Sequence, residues 1–203
     1  MRVGVFGGSF DPVHCGHLEL ARCCRDQAKL NSVWFVPAAH QPFKPDGPFA
    51  TNANRLAMLQ LALQGDAGFE VSTLELDRGG TSYMIDTLLT LSAMIPAAKF
   101  FLLMGADALV DFPYWRRPAD ICRIATPLVV NRGGEPAPNF EHLDQFLALE
   151  QIEEIKAAQV NMPPMEHSSA DIRRLIATGR SWRELVPKSV AAYIREHRLY
   201  QAV

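Results

Sequence analysis

Short apolar runs alternate along this chain with segments whose apolar residues recur at helical spacing. RVGVF (2–6), SVWFVP (32–37), FEVSTLEL (69–76), KFFLLMG (99–105), PLVVN (127–131) and QVNMP (159–163) read as strands. Most run continuously apolar instead of alternating, the profile of strands covered on both faces. Helical patterns lie between them at 17–30, from Thr51 onward with Thr51 or Asn52 as N-cap, at 81–95, 118–124 and 141–158. Two more, 168–179 and 187–199, follow the last strand. Strand–helix alternation of this kind predicts an α/β fold: a doubly wound, mostly parallel sheet with helices on both faces and a small helical C-terminal part. Ligands of such sheets bind beyond the C-terminal strand ends, where the strand order reverses. The loops 7–13, 37–50 and 105–117 all follow strands and are expected to meet at one crevice.

At 203 residues the chain can bury one sizeable core, and its net charge of −2 supplies no overall field for nucleic acid or an anionic membrane surface. An anionic ligand must therefore be held by a local cluster of donors. Cys15, Cys23, Cys24 and Cys122 show no C-x-x-C spacing, and reduced thiols in a cytoplasmic protein are expected. No apolar run reaches the roughly 18 residues of a membrane-spanning helix, and the opening apolar run is too short for a signal peptide.

GGSFDPVHCGH (7–17) is the most informative stretch. Gly7 and Gly8 let the chain turn tightly and let a ligand approach the backbone. The helix that follows presents its N–H groups and positive dipole end. His14 and His17, three apart, fall on one face of its first turn. The stretch lacks both the G-x-G-x-x-G dinucleotide fingerprint and the lysine of a P-loop. Three readings remain: a phosphate site, a zinc site completed by His40 or Asp11, and histidines that merely cap and pack. Two imidazoles in a glycine-rich turn between a buried strand and a helix favour phosphate.

These residues resemble a known pattern. GGSFDPVHCGH is similar to the H-x-G-H signature of the nucleotidylyltransferase superfamily, and HSSADIR (167–173) to its second signature, I-S-S-T-x-I-R. RGGTSYMIDTL (78–88), LLMGADALVDFPYW (102–115), VVNRGG (129–134) and ELVPKSVAAYIREHRLY (184–200) resemble the bacterial nicotinate-nucleotide adenylyltransferase family. The resemblance covers nearly the whole chain in order. It implies a single domain over 1–203, with a Rossmann-like core at 1–165 and a helical part at 166–203 that carries the second phosphate motif.

The implied reaction joins ATP to nicotinic acid mononucleotide, giving deamido-NAD and pyrophosphate, with Mg²⁺ accompanying ATP. A related enzyme acting on another acceptor, nicotinamide mononucleotide or phosphopantetheine, is the alternative, as is a nucleotide-binding module with weak turnover. ATP and the mononucleotide are the implied partners, nucleic acid and membrane are not, and a homo-oligomer is allowed. The resemblance implies that Gly7, Gly8, Ser9 and Phe10 line the nucleotide site by their backbone. His14, His17 and Arg173 would act on the ATP phosphates, with Ser168 beside them, while Gly105 and Asp107 meet the adenosine. On the acceptor side, Trp115 would stack on the pyridine ring. The helix near Ser82 would offer the Tyr83 and Met84 N–H groups to the carboxylate, and Lys44 and Arg132 would neutralise the mononucleotide phosphate. No protein residue is implied as a metal ligand. Phe43 stands where the family often has histidine, and Met84 and Ala170 stand where threonine is usual.

Overall fold

The computed structural model describes residues 1–43, 47–134, 136–165 and 167–201. Six strands, β1 (Arg2–Gly8), β2 (Ser32–Pro37), β3 (Phe69–Val71), β4 (Lys99–Gly105), β5 (Ala125–Arg132) and β6 (Val160–Met162), form one sheet. Its order is β3-β2-β1-β4-β5-β6. Every neighbouring pair is parallel, so the expected "mostly parallel" sheet is wholly so. The helices are α1 (Cys15–Gln27), α2 (Asn52–Leu63), α3 (Leu74–Arg78), α4 (Met84–Met94), α5 (Ala106–Asp111), α6 (Pro118–Ile124), α7 (Leu149–Ala157), α8 (Ser169–Ala177) and α9 (Lys188–Glu196).

The sheet separates two cores, as the continuous apolar strands require. Along β4, Phe101 and Leu103 join one cluster with Leu18, Ala21 and Cys24 of α1 and Val190 and Ile194 of α9. Phe100, Leu102 and Met104 point the other way, toward Ile85, Leu88 and Leu91 of α4 and Ile121 of α6. Each fully buried leucine or isoleucine contributes about 1.5–3 kcal/mol, so the alternation along one strand fixes which helix covers which face. Among the described residues no helix is long and apolar enough to cross a membrane.

Two elements depart from expectation. The segment 69–76 is a strand only to Val71; α3 takes Leu74 onward and ends at Gly79, whose φ of 67° lies in the left-handed region. Leucine and glutamate favour the helix once the short β3 has ended. The expected helix 141–158 is a 3₁₀ turn at Glu141–Gln145 followed by α7. Leu143, Leu147, Ile152 and Ile155 are the buried residues there, and the five-residue step from Leu147 to Ile152 breaks the helical phase. α5 and the 3₁₀ turn Phe112–Tyr114 add helical structure where a loop was expected.

The chain runs outward from β1 through β2 to β3, then crosses back to β4 on the other side of β1. The order therefore reverses between β1 and β4. Gly8 ends the first of these strands and Gly105 the second, so the crevice beyond them is where this topology places a ligand.

Candidate active site

The first turn of α1 is organised around its two histidines. His14 is the N-cap, with extended backbone, and its N–H donates to Nδ1 of His17 at 3.2 Å. With Nδ1 accepting, the proton of a neutral His17 ring sits on Nε2. The two imidazoles stack with centroids 3.7 Å apart, and the edge of Phe10 packs on His17 at 5.1 Å. Gly16 makes the stack possible, because a Cβ there would lie 3.0 Å from the His14 ring. Phe10 itself has φ 47°, a left-handed conformation costing about 1–2 kcal/mol. Its ring compensates by packing against Phe6 and Phe35.

His14 is 8% exposed. Burial, then the charges of Arg132 and His167, push its pKa down from 6.5 to about 4, so at neutral pH it is an uncharged hydrogen-bonding group. An unfolded chain takes up a proton near pH 6.5 that the folded one refuses until about pH 4. Stability from this group is accordingly full above pH 6.5 and is lost as the pH falls toward 4. A His14→Asn variant is expected to show a flatter decline in melting temperature between pH 7 and pH 5 than the parent protein. Parallel declines would contradict the assignment.

The two distant motifs meet. Arg173 of α8 donates from Nη1 to the Asp11 carbonyl, 162 residues away in sequence, at 2.6 Å. Its guanidinium also lies 4.3 Å over the Phe49 ring. The Ser169 hydroxyl donates to the Pro12 carbonyl at 2.9 Å. Ser168, the expected phosphate contact, is the N-cap of α8 and accepts from the Asp171 N–H at 3.2 Å. It thus stands at that helix's N-terminal end beside the first motif.

Asp11 is the hub beneath this junction. It is 2% exposed, and its carboxylate accepts from Phe49 N–H at 2.7 Å, Ala50 N–H at 3.1 Å and the Tyr200 hydroxyl at 2.7 Å. Arg55, fully buried, bonds the carbonyls of Ser9 and Ala38, both at 2.6 Å. It ties the ends of β1 and β2 together. Sequence reasoning missed Arg55, Ser169 and Tyr200 and weighed Asp11 only as a zinc ligand. An arginine inside the apolar pattern of α2 was the one available signal.

On the other side of the crevice, Gly105 is the N-cap of α5 and Asp107 lies in its exposed first turn. A Cβ on Gly105 would collide with the Asp107 carboxylate and lie 3.4 Å from Nη2 of Arg132. The charge of Arg132 also acts on His14, so Arg132 stands near the start of α1. Its Nε is buried without a hydrogen-bond partner among the described residues.

Tyr83 is the N-cap of α4 and Met84 its first residue, so both fall at the helix's open N-terminal end. Gly7 leaves room for Met84, since a Cβ there would come within 2.5 Å of Met84 Cε. Trp115 is half-buried, its ring edge-on to Phe112 at 5.3 Å. The neighbouring Arg116 lies 4.8 Å over the Tyr83 ring and 3.7 Å from Asp86, which joins this turn to the start of α4. Ser82 is buried, its oxygen accepting from the Ala39 N–H at 3.0 Å. Lys44 lies outside the described residues.

Among the described residues no three His, Cys, Asp or Glu side chains gather to hold a metal. His40 accepts from the Ser82 N–H through its carbonyl, and the Asp11 carboxylate accepts three hydrogen bonds. The Cys15 thiol, which contacts the Glu184 carbonyl at 3.8 Å, is pushed up by burial and is no nucleophile. All four cysteines are unpaired. The site brings together two imidazoles inclined by 30°, an arginine and helix N-termini, a donor set suited to polyphosphate.

Residues 5–175 match the cytidylyltransferase-like family, and the chain belongs to that family of nucleotidyltransferases. It is 42% identical to a "Probable nicotinate-nucleotide adenylyltransferase" of Rhodopirellula baltica, covering 98% of this chain and 93% of the relative. A protein of the same name from Thermomicrobium roseum is 38% identical, over 100% of this chain and 92% of that one. Within the larger family, the chain is a member of the nicotinate-nucleotide adenylyltransferases. The fold is similar to that of nicotinic acid mononucleotide adenylyltransferase from Plasmodium falciparum, solved with NaAD. The TM-score is 0.74 at 16% identity, covering 98% of this chain and 97% of the other.

Proposed function

We infer that this chain transfers the adenylyl group of ATP to nicotinic acid mononucleotide, forming deamido-NAD and pyrophosphate in NAD biosynthesis. The observation that carries the reading is the docking of Arg173 on the Asp11 carbonyl, which joins the two phosphate motifs into one clamp at the switch point of the sheet. The chain acts as one unit, with residues 166–203 supplying the second half of the clamp.

A phosphate oxygen of the mononucleotide attacks the α-phosphorus of ATP. The bond from that phosphorus to the bridging oxygen breaks, and pyrophosphate leaves with the electron pair. No enzyme nucleophile takes part, so the protein contributes position and charge stabilisation. His17 donates from Nε2 to the reacting phosphoryl group. Arg173 leaves the Asp11 carbonyl to bind the outer phosphates through its fork, with Ser168 and neutral His14 beside it. Arg132, whose charge reaches His14, helps neutralise the mononucleotide phosphate where it meets ATP. Gly7, Gly8, Ser9 and Phe10 line the crevice by their backbone, and Gly105 and Asp107 receive the adenosine. Mg²⁺ bound with ATP would screen the charge of the triphosphate, with no protein residue proposed to hold it. The acceptor's ring stacks on Trp115, its carboxylate meets the N–H groups at the start of α4, and Lys44 neutralises its phosphate.

Pyrophosphate release measured across a panel of acceptors tests this reading. Release with ATP, Mg²⁺ and nicotinic acid mononucleotide is expected; none with it, alongside turnover of phosphopantetheine, would overturn it.

A further inference from the structure

The residues that receive the two ends of the acceptor lie on separate segments of the chain, and one buried carboxylate joins them. Glu75 of α3 is 2% exposed. The Thr87 hydroxyl, on the second turn of α4, donates to its Oε1 at 2.6 Å. The Ser82 hydroxyl, just before the α4 N-cap, bonds the same carboxylate. The Glu75 carboxylate thus grips α4 on both sides of the N-terminal turn that faces the acceptor's carboxylate.

The chain of contacts continues outward. Ser82 Oγ accepts from the Ala39 N–H at 3.0 Å, and the Ser82 N–H donates to the His40 carbonyl at 2.8 Å. His40 and Thr81 pair as an isolated parallel bridge. Ala39 and His40 begin the segment that runs on to Lys44. Arg78 closes the network from outside, Nη2 donating to the Thr87 oxygen at 3.1 Å. An acidic group buried this close to a site for an anion is costly unless it performs a structural task that two neutral hydroxyls cannot.

We propose that Glu75 is a positioning residue for the acceptor, fixing the carboxylate-binding end of α4 against Ala39 and His40 in the segment after β2. The inference rests on the acceptor reading given above. Glu75 touches neither substrate, and the ATP side of the crevice, built from α1, α8 and the end of β4, carries none of its contacts. Its effect is therefore confined to one of the two substrates.

In Glu75→Gln the side chain keeps its shape, but its NH₂ cannot accept, so one of the two donating hydroxyls loses its acceptor. The KM for nicotinic acid mononucleotide is expected to rise about tenfold, with the KM for ATP within about twofold and kcat within about threefold. Ser82→Ala and Thr87→Val break the same chain and are expected to match it, whereas Thr87→Ser restores the hydroxyl and parental values. Glu75→Gln combined with Ser82→Ala is expected to be no worse than the more affected single variant. Equal rises in both KM values, multiplicative effects in the double variant, or failure of Thr87→Ser to restore binding would each overturn the proposal. Should Glu75→Gln not fold, Ser82→Ala and Thr87→Val decide it alone. A parent protein inactive on nicotinic acid mononucleotide would instead remove the acceptor reading, a result distinct from any of these.

Discussion

Replacing His17 with alanine is expected to lower turnover by at least about a hundredfold, the scale lost when one preorganised donor to a developing charge is removed. His17 has two tasks, and they can be separated. Its Nδ1 accepts from the His14 N–H and completes the start of α1, while in the proposed reaction Nε2 is the donor to the phosphoryl group. Alanine removes both. In His17→Asn the side-chain oxygen can take over the Nδ1 bond, so the helix start is kept and only the Nε2 donor is lost. The asparagine variant is expected to melt close to the parent and yet be about as slow as the alanine variant. Measured kcat and melting temperature for the pair provide the check. A fall of under fivefold in both would return His17 to a packing role.

Asp11→Ala is expected to be the most destabilising single substitution around the site. It would leave two backbone N–H groups and the Tyr200 hydroxyl without their acceptor, the Ala50 bond buried and the other two partly so, at about 1–3 kcal/mol for a buried unsatisfied group and less for the others. Nearby Arg55, whose own charge burial disfavours, would also lose the attraction of Asp11. A combined loss of about 3–5 kcal/mol corresponds to a melting temperature lower by roughly 8–15 °C for a chain of this size. Tyr200→Phe removes one of the three bonds and should cost only about 1 kcal/mol. Activity should fall with Asp11→Ala, because the turn whose Asp11 and Pro12 carbonyls meet Arg173 and Ser169 loses the carboxylate that anchors it. Thermal melts of both variants test the ranking; a drop under about 3 °C for Asp11→Ala would mean that water replaces the carboxylate without cost.

Much of this organisation could be read from the chain itself. Continuous apolar runs such as KFFLLMG marked the sheet, and the glycines before His14 marked the turn from β1 into α1. Both are local patterns, and the structure keeps them. Glu75 illustrates the limit: in the sequence it sits in a run resembling an alternating strand, and only the partner hydroxyls of Thr87 and Ser82 give a buried carboxylate there a purpose. Asp11, Arg55 and Tyr200 were invisible for the same reason, since each acts through bonds to residues distant along the chain. The nearness of Arg132, at the end of β5, to Gly105 and its charge on His14 likewise depend on how the strands assemble and on no local pattern. The break between Gln145 and Leu149 was legible in the spacing of buried residues, yet the strong helical composition concealed it.

The preference for an acid over its amide goes to the centre of the account, because it depends on a helix N-terminus receiving an anion at the start of α4. The most direct measurement compares kcat/KM for nicotinic acid mononucleotide and nicotinamide mononucleotide with ATP and Mg²⁺ by pyrophosphate release. A much higher value for the acid is expected; equal values for the two would contradict the role given to α4.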